Sequence, residues 1–267
     1  METLKIAAIC MHCEAGEIQR NLERTESFVS RASAWGADLV CFPELSTTGY
    51  VLDDPLAVYS GLQPDAVIEK IGAMAGKQAL VIMAGLIEKS EEKGRPYISH
   101  VVAGPDGLLG VYRKTHLSPK EKRRYRAGKE IRVFAYRGLT FGIQLCYEAH
   151  FPEISTVMAL DGADILFMPH ASPRGSPAAK LRSWLRHLPG RAFDNGLFVV
   201  ACNQVGRSRH GFAFPGVAVA LNPSGKVIAK YEGQREEMLL VELDQEEIAR
   251  VRSHRMKYFI PGRRPEL

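Results

Sequence analysis

The chain has 267 residues, of which 46% are hydrophobic and 24% are charged, and its formal net charge is +5. This length and composition are typical of a globular domain that buries both faces of a sheet, so we expect one domain over 1–267. A nucleic-acid partner is not expected. Acidic and basic residues are mixed, and the single basic run, 120–126, is more typical of a solvated loop or helix face than of a nucleic-acid site.

Membrane and secreted classes are also disfavoured. No apolar run reaches the roughly 18–20 residues that a membrane-spanning helix needs, so we expect no membrane partner. The five cysteines are odd in number and lie mostly in strand-like apolar runs, without a signal peptide before them. This pattern is typical of reduced thiols in a cytoplasmic protein.

Strand-like and helix-like runs alternate along the chain. The predicted strands are 4–11, 38–42, 79–88, 98–103, 108–116, 131–136, 139–146, 164–168, 197–203, 214–221, 227–231 and 238–243. The predicted helices are 17–37, 64–78, 153–160, 178–194 and 245–254, and 117–130 is predicted as a loop with at most one helical turn.

Turn-forming residues at 105–107, 137–138 and 222–225 predict tight hairpins between neighbouring strands. A hairpin joins antiparallel strands, so a purely parallel, doubly wound sheet does not fit. Mixed sheets stacked between helices fit better. The predicted fold class is therefore α/β, a four-layer αββα sandwich with two mixed β-sheets.

The stretch FGIQLCYEAHFPE (141–153) contains the most informative cysteine. An apolar run ends on Cys146, and polar residues and a Phe-Pro-Glu sequence follow at once. This pattern predicts a buried strand that leads through a sharp turn into a helix, which exposes a nucleophile and directs a backbone N–H to the same space. The alternative is that Cys146 is a small core residue, because free cysteines are usually buried.

Three further polar residues follow apolar runs or lie near one. Glu44 follows VCFP, Lys114 ends GVYRK, and Glu121 comes seven residues after Lys114. A carboxylate accepts the proton of a thiol, and a lysine lowers the thiol pKa and stabilises an oxyanion. The alternatives are ordinary ones. Glu44 could cap a helix or loop, Lys114 could extend its ammonium to solvent, and Glu121 could be a surface partner for Lys120 or Arg124.

The motifs FPELSTTGY, YRKTHL and LCYEAHFPE resemble the three signature motifs of the nitrilase superfamily, the carbon–nitrogen hydrolases. Their separations also fit, since 114 − 44 = 70 residues and 146 − 114 = 32 residues. The resemblance extends over nearly the whole chain, from the first predicted strand to the last.

The resemblance implies an αββα fold that associates into a homodimer or a higher homo-oligomer. It implies that Cys146 is the nucleophile and Glu44 the general base. Lys114 would stabilise the tetrahedral intermediate together with the backbone N–H of Tyr147, and Glu121 matches a second active-site glutamate of the family. The implied reaction needs no metal and no cofactor.

A Cys–His hydrolase is the main rival for the catalytic chemistry. Each candidate histidine is better interpreted as structural or as a pocket wall than as a base, and we expect His150 and His170 to contact the substrate. The spacing of His and Cys gives no zinc motif, and the glycines give no phosphate-binding loop. The histidines near candidate loops are His116, His150, His170, His187 and His210.

The resemblance narrows the substrate only to a small amide or carbamoyl compound. Carbamoyl-amino-acid hydrolases and ω-amidases commonly have a carboxylate-binding arginine just after the cysteine, where this chain has Ala149 and His150. Nitrilases usually have tryptophan where this chain has Tyr147. We therefore expect amide hydrolysis through a Cys146 thioester, releasing ammonia or an amine and a carboxylic acid, with a carbamoyl substrate second and a nitrile third.

Two functions of other classes remain open. An acyltransferase would pass the same thioester to a nucleophile other than water. The other open function is that of an assembly module without catalytic activity. The intact set of Glu44, Lys114 and Cys146 argues against it.

Overall fold

The computed structural model describes residues 3–59, 62–91, 94–254, 256 and 258–264. The strands of this part of the chain are β1 Thr3–Cys10, β2 Leu39–Cys41, β3 Val81–Glu88, β4 Tyr97–Gly104, β5 Gly107–Arg113, β6 Val133–Tyr136, β7 Leu139–Ile143, β8 Ile165–His170, β9 Phe198–Asn203, β10 Gly206–Arg207, β11 Ala213–Phe214, β12 Gly216–Leu221, β13 Val227–Gly233 and β14 Glu237–Asp244. The helices are α1 Ile18–Trp35, α2 Pro64–Gln78, α3 Pro152–Leu160, α4 Pro177–Trp184, α5 Leu188–Asn195 and α6 Gln245–Ser253. The described residues also form four short 3₁₀ turns, Pro55–Tyr59, Glu121–Arg123, Cys146–His150 and Ile260–Gly262.

The first sheet has the strand order β14-β1-β2-β3-β4-β5. Its centre is parallel, because β2 runs parallel to both β1 and β3. Its edges are antiparallel, with β14 paired to β1 on one side and β4 and β5 added on the other. The sheet is therefore mixed, with its parallel strands ending on the same side as the Glu44 segment.

The second sheet follows the same plan with the order β13-β12-β9-β8-β7-β6. Strands β7, β8 and β9 are parallel, and β6, β12 and β13 are antiparallel additions at the two edges. A small separate ribbon pairs β10 with β11. The parallel centre of this sheet ends at the Cys146 segment and at His170.

The two sheets lie face to face between two helical layers. Strand β1 contacts β9 and β12 of the other sheet, α2 packs on β3, β4 and β5, and α5 packs on β9 and β12. The residues between the sheets are almost completely buried and apolar, which provides the main stabilising term of such a sandwich. The predicted αββα sandwich of two mixed sheets is confirmed.

The hairpins expected from turn chemistry join β4 to β5, β6 to β7 and β12 to β13. The single helix predicted over 178–194 is wrong, because the structure has α4 and α5 there with a break at 185–187. Pro189 explains the break, since proline has no N–H for an α-helical bond and its ring crowds the preceding turn. Proline instead occupies the first turn of α5.

In the described part of the chain, no helix is long and apolar enough to cross a membrane.

Candidate active site

The predicted strand-to-helix elbow is present at Cys146. Strand β7 ends at Ile143, the 3₁₀ turn begins at Cys146, and α3 follows at Pro152. The φ angle of Cys146 is 44°, in the left-handed region that non-glycine residues seldom adopt. Such local strain is typical of nucleophile turns. Cys146 as a whole is partly exposed and lies in the wall of a pocket.

Glu44 lies in a tight turn directly after β2 and is fully buried. The next residue, Leu45, has a φ angle of 55°, and the turn packs against β3 at Gly85. A Cβ atom at Gly85 would collide with the backbone nitrogen of Leu45, so only glycine allows this approach. The Oε2 atom of Glu44 accepts a hydrogen bond of 3.0 Å from the N–H of Ala171 after β8, which ties the two sheets together.

Lys114 follows β5 and is also fully buried. Its Nζ donates to Oε1 of Glu44 over 2.7 Å and to Oε1 of Glu121 over 3.0 Å. Glu121 lies in the 3₁₀ turn of the loop, and its Oε2 accepts from the N–H of Ser118 over 2.7 Å. The surface alternatives for Lys114 and Glu121 are therefore wrong, since both side chains are buried in one ion-paired cluster.

The charges in this cluster shift one another's pKa values. Burial alone would lower the pKa of Lys114, but Glu44 and Glu121 raise it well above its usual value. Burial raises the pKa of Glu44, Lys114 opposes this, and the charge of Glu121 adds to the rise. The result is a lysine that stays cationic beside a carboxylate that accepts a proton more readily than an exposed glutamate.

The pKa of Cys146 is raised above its usual value, first by burial and then by the charge of Glu44. Lys114 and the N–H of Ala171 lower it, but they do not outweigh the burial and the two carboxylates. Lys114 does lower the thiol pKa, as expected, but the expectation of a net lowering is wrong. The resting thiol is protonated at neutral pH and needs a base.

Glu148, two residues after the cysteine, holds the elbow to the end of β5. Its Oε2 accepts from the N–H of Leu145 over 2.7 Å, which fixes the residue before Cys146. Its Oε1 accepts from the N–H and the hydroxyl of Thr115 over 2.7 and 2.6 Å. Further donors to Oε1 are Tyr112 Oη and His116 N. Sequence reasoning did not find this role, which only tertiary contacts reveal.

A pocket of about 780 Å³ opens above Cys146 and Glu121. Its lining combines aromatic side chains with basic ones, while Glu44 and Lys114 lie buried behind it. The residues that line this active-site pocket include Tyr50, Leu52, Lys120, Glu121, Cys146, Tyr147, His150, His170, Arg174, Lys180, Trp184, His187 and Phe212. This volume suits a small ligand.

The three predicted substrate contacts all line the pocket. Tyr147 follows Cys146 in the 3₁₀ turn, and its ring packs against His150 with centroids 5.9 Å apart. His150 is exposed, stacks with His187 at 4.6 Å, and has a pKa lowered by partial burial and by the charges of Arg191 and Lys180. His150 is consequently neutral at neutral pH, which removes it as a cationic anchor.

His170 is buried at the end of β8. Its Nδ1 lies 2.7 Å from the carbonyl oxygen of Met168, so the proton resides on Nδ1, and its ring stacks with Trp184 at 4.3 Å. Burial lowers the pKa of His170 well below its usual value, although the Met168 contact opposes this. His170 is therefore a neutral pocket wall.

Within the described residues, Cys146 makes no hydrogen bond to a histidine, which disfavours the Cys–His rival. The same residues contain no group of three or more His, Cys, Asp or Glu side chains arranged to hold a metal ion.

Sequence reasoning missed Tyr50, Lys180 and Trp184 in the pocket. Tyr50 ends the FPELSTTGY motif, and that position after the Glu44 turn was the available signal. Lys180 and Trp184 are four residues apart on α4, on one face of the helix. That spacing is also typical of an ordinary amphipathic helix, so it did not distinguish them.

Comparisons with known proteins agree with this geometry. The model of the family described as "Carbon-nitrogen hydrolase" matches residues 5–253. A nitrilase of Pyrococcus abyssi is 31% identical over 90% of this chain and 90% of its own. A 2-oxoglutaramate amidase of Bacillus subtilis is 32% identical over 89% of both chains. A mutant structure of a Nesterenkonia amidase from the nitrilase superfamily superposes with a TM-score of 0.84, with 25% identity, over 98% of this chain and 95% of that one. This chain belongs to the carbon–nitrogen hydrolase family.

Proposed function

We propose that the protein hydrolyses a small amide through a thioester on Cys146, with Glu44 as the general base. One observation supports this most directly. The buried ammonium of Lys114 lies between Glu44 and Glu121, at 2.7 and 3.0 Å, and interacts electrostatically with Cys146, which lines the pocket. That arrangement supplies a nucleophile, a base and a fixed positive charge in one place, which are the parts needed for acyl transfer.

In the first half-reaction Glu44 takes the proton of the Cys146 thiol, and the sulfur bonds to the amide carbon. The carbonyl π electrons move to oxygen, and the oxyanion lies near Lys114 Nζ and the backbone N–H of Tyr147. The first N–H groups of a helical turn have no partner within the turn, so the N–H of Tyr147 suits this role. When the oxyanion collapses, the C–N bond breaks, Glu44 returns the proton to nitrogen, and ammonia or an amine leaves.

In the second half-reaction water replaces the departed amine. Glu44 takes a proton from the water, the hydroxide oxygen bonds to the thioester carbon, and the C–S bond breaks. The thiolate recovers the proton from Glu44, and the carboxylic acid leaves. Each proton that Glu44 accepts is returned, so the enzyme is regenerated after one water is consumed.

The raised pKa values of Glu44 and Cys146 fit this cycle. Burial destabilises both anions, so a proton passes between two groups whose affinities are shifted in the same direction. Proton removal then accompanies sulfur attack, and no standing thiolate is needed. A general base is most effective when its pKa lies near the working pH, which a raised glutamate pKa favours.

We assign Glu121 to holding Lys114. Its Oε1 accepts from Lys114, and its Oε2 is fixed by the N–H of Ser118. Since Glu121 also lines the pocket, it is close enough to contact the substrate nitrogen or the water. Loss of Glu121 should lower the rate of hydrolysis less than loss of the base, Glu44.

The reaction class is tested with a panel of matched amides, carbamoyl compounds and nitriles, read by ammonia release. The expected result is release from at least one simple amide by the wild type and none above background from Cys146→Ala. Adding a primary amine distinguishes transfer from hydrolysis, because an acyltransferase would form the N-substituted amide in place of the acid. Ammonia release only from carbamoyl compounds or only from nitriles would overturn the amide assignment.

We also infer that the protein works in a reducing compartment, as a cytoplasmic protein would. All five cysteines are free, and four of them are buried in the core. Lysis of the source cells in denaturant that contains an alkylating reagent, followed by mass spectrometry without a reducing step, should give five alkylated cysteines. A smaller count would contradict the inference.

A homo-oligomer is the expected assembly. In support of this, α3 and α5 contact each other and leave apolar side chains exposed, among them Val157, Leu160 and Phe193. Exposed apolar residues grouped on neighbouring helices are typical of subunit contacts. Light scattering should give a mass of two or more chains, and the Leu160→Lys variant should lower it. A monomer at micromolar concentration would contradict this.

A further inference from the structure

The wall of the active-site pocket contains a lysine without an acidic partner in the described part of the chain. Lys180 lies on α4 and lines the same pocket as Cys146. Its Nζ donates to the hydroxyl oxygen of Ser172 over 2.7 Å. An ammonium has three N–H donors, so two are left for a ligand.

The loop that receives Lys180 is fixed from both sides. The buried Asn203 accepts from the N–H of Ser172 over 2.9 Å and donates to its carbonyl oxygen over 3.2 Å. The same amide nitrogen of Asn203 donates to the carbonyl oxygen of Pro215 over 2.8 Å. The neighbouring Ala171 contacts Glu44, so one rigid segment positions both the base and the hydroxyl that holds Lys180.

The pocket has an excess of positive charge among its described lining residues. Its cations are Lys120, Arg174 and Lys180, and its lining carboxylate is Glu121. Since Lys114 lies between Glu121 and the buried Glu44, one negative charge of the cluster remains against three pocket cations. The histidines of the lining do not change this balance, since burial lowers the pKa of His187 to about 4 and the pKa values of His150 and His170 are lowered too.

Lys180 is the cation that is most enclosed by the pocket. It is partly buried, whereas Arg174 and Lys120 are exposed. Burial lowers the pKa of Lys180 and the charge of Arg174 adds to the fall, whereas Cys146 raises it only when its thiol is ionised. A charge taken out of water without a counter-ion costs free energy, and an anionic ligand would offset that cost.

We propose, building on the amide hydrolysis above, that Lys180 binds a carboxylate on the acyl part of the substrate. The substrate class is then monoamides of dicarboxylic acids and related anionic amides. The acyl part is the sensible place for this contact because it stays on Cys146 through both half-reactions, whereas ammonia leaves after the first. The contact lies on α4, not at the position just after the cysteine, where His150 is neutral.

The test compares succinamate with butyramide, which have similar length and differ in a terminal carboxylate or methyl group. Lys180→Met should lower kcat/KM for succinamate by roughly ten- to a hundredfold more than for butyramide, the usual range for a charge-assisted hydrogen bond. Lys180→Arg should retain much of the preference because it keeps the charge. Arg174→Met should have a smaller selective effect than Lys180→Met.

Lys70→Met is the matched control, since it removes the same charge from an exposed position on α2. It should leave the ratio of the two kcat/KM values unchanged. Equal losses for succinamate and butyramide in Lys180→Met would overturn the proposal and would mean that Lys180 acts on the thiol or on the fold.

Binding measurements separate this proposal from the proposed reaction. Calorimetry on the Cys146→Ala variant, with and without Lys180→Met, needs no turnover. Succinamate should bind more tightly than butyramide, and Lys180→Met should remove that difference. If succinamate and butyramide are both left intact by the wild type yet this binding preference is present, the reaction is wrong and the Lys180 site stands. If butyramide is hydrolysed and no preference exists, the reaction stands and the Lys180 site is wrong.

Discussion

Two parts of the site differ in how many of their polar groups have hydrogen-bond partners. They are the buried cluster of Glu44, Lys114 and Glu121, and the outer wall of the pocket around His150 and Lys180. In the cluster, the lysine donates to both carboxylates, and backbone N–H groups fix their other oxygens. On the outer wall, Lys180 contacts one hydroxyl and His150 contacts rings.

This difference separates the groups that act on the reacting bond from the groups that select the substrate. Preorganised charges stabilise a transition state without rearranging, so groups that act on the reacting bond benefit from full mutual pairing. Groups that recognise the rest of a substrate need unused donors, because those donors pair only when the ligand arrives. We therefore expect variants of the buried cluster to affect every substrate, and variants of the outer wall to affect substrates selectively.

The largest expected effect is the loss of the nucleophile. Cys146→Ala should reduce kcat by at least about a thousandfold for all amides, since no other group can form the acyl intermediate. Cys13→Ala, at a buried cysteine outside the pocket, is the control and should keep activity. Ammonia release at saturating substrate measures both. Substantial turnover by Cys146→Ala would remove the thiol from the reaction.

The next effect distinguishes the two carboxylates that contact Lys114. Glu44→Gln should lower kcat by about a thousandfold, within the usual range for a general base. Glu121→Gln should lower it by about ten- to a hundredfold, because Lys114 keeps its contact with Glu44. The double variant should have a kcat only slightly below that of Glu44→Gln, because the effects of residues that act together are not additive. A reversed order would make Glu121 the base.

Glu148 provides a test of the scaffold. Glu148→Gln puts an amide group where both oxygens now accept hydrogen bonds, so it should lower the free energy of unfolding by about 2–4 kcal/mol. Urea denaturation measures this, with Glu153→Gln on the exposed start of α3 as the matched control. An unchanged unfolding midpoint for Glu148→Gln would show that the elbow is held by other contacts.

The last effect concerns pH and needs no substitution. Because burial and Glu44 raise the pKa of Cys146, its thiolate fraction should rise about tenfold per pH unit from pH 7 to 9. The rate of iodoacetamide labelling should rise with it, and Cys146 should label first because the other four cysteines are buried. Peptide mapping after brief labelling gives the rates. A plateau near pH 7 would mean that Lys114 dominates the thiol pKa after all.

Two residues of the buried cluster were predictable from the sequence because Glu44 and Lys114 each follow an apolar strand, whereas Glu121 lies in the loop after β5. Strand ends at Glu44, Lys114 and Cys146 converge in a stacked pair of sheets, and short continuous apolar runs that end in polar residues are easy to recognise. The hairpins were predictable for a similar reason, since turn residues such as Asn222 and Gly225 act locally.

The outer wall was not predictable because its features depend on contacts between distant segments. Lys180 is an ordinary helix residue until Asn203 fixes the loop that receives it. Glu148 has no sequence signal of its own, since the donors to its Oε1 come from β5 and the residues just after it, far away in the chain. The sign of the Cys146 pKa shift depends on burial, which spacing along the chain does not give.

The most direct test of the central proposal is to trap the acyl-enzyme. The wild-type protein is mixed with an amide that it hydrolyses, quenched in acid during turnover, and mapped by peptide mass spectrometry. We expect one acyl group on the peptide that contains Cys146, which disappears after treatment with hydroxylamine and is absent from Cys146→Ala. An acyl group on any other residue would contradict the proposal. Steady ammonia release by the Glu44→Gln variant without an acyl group on Cys146 would contradict it as well.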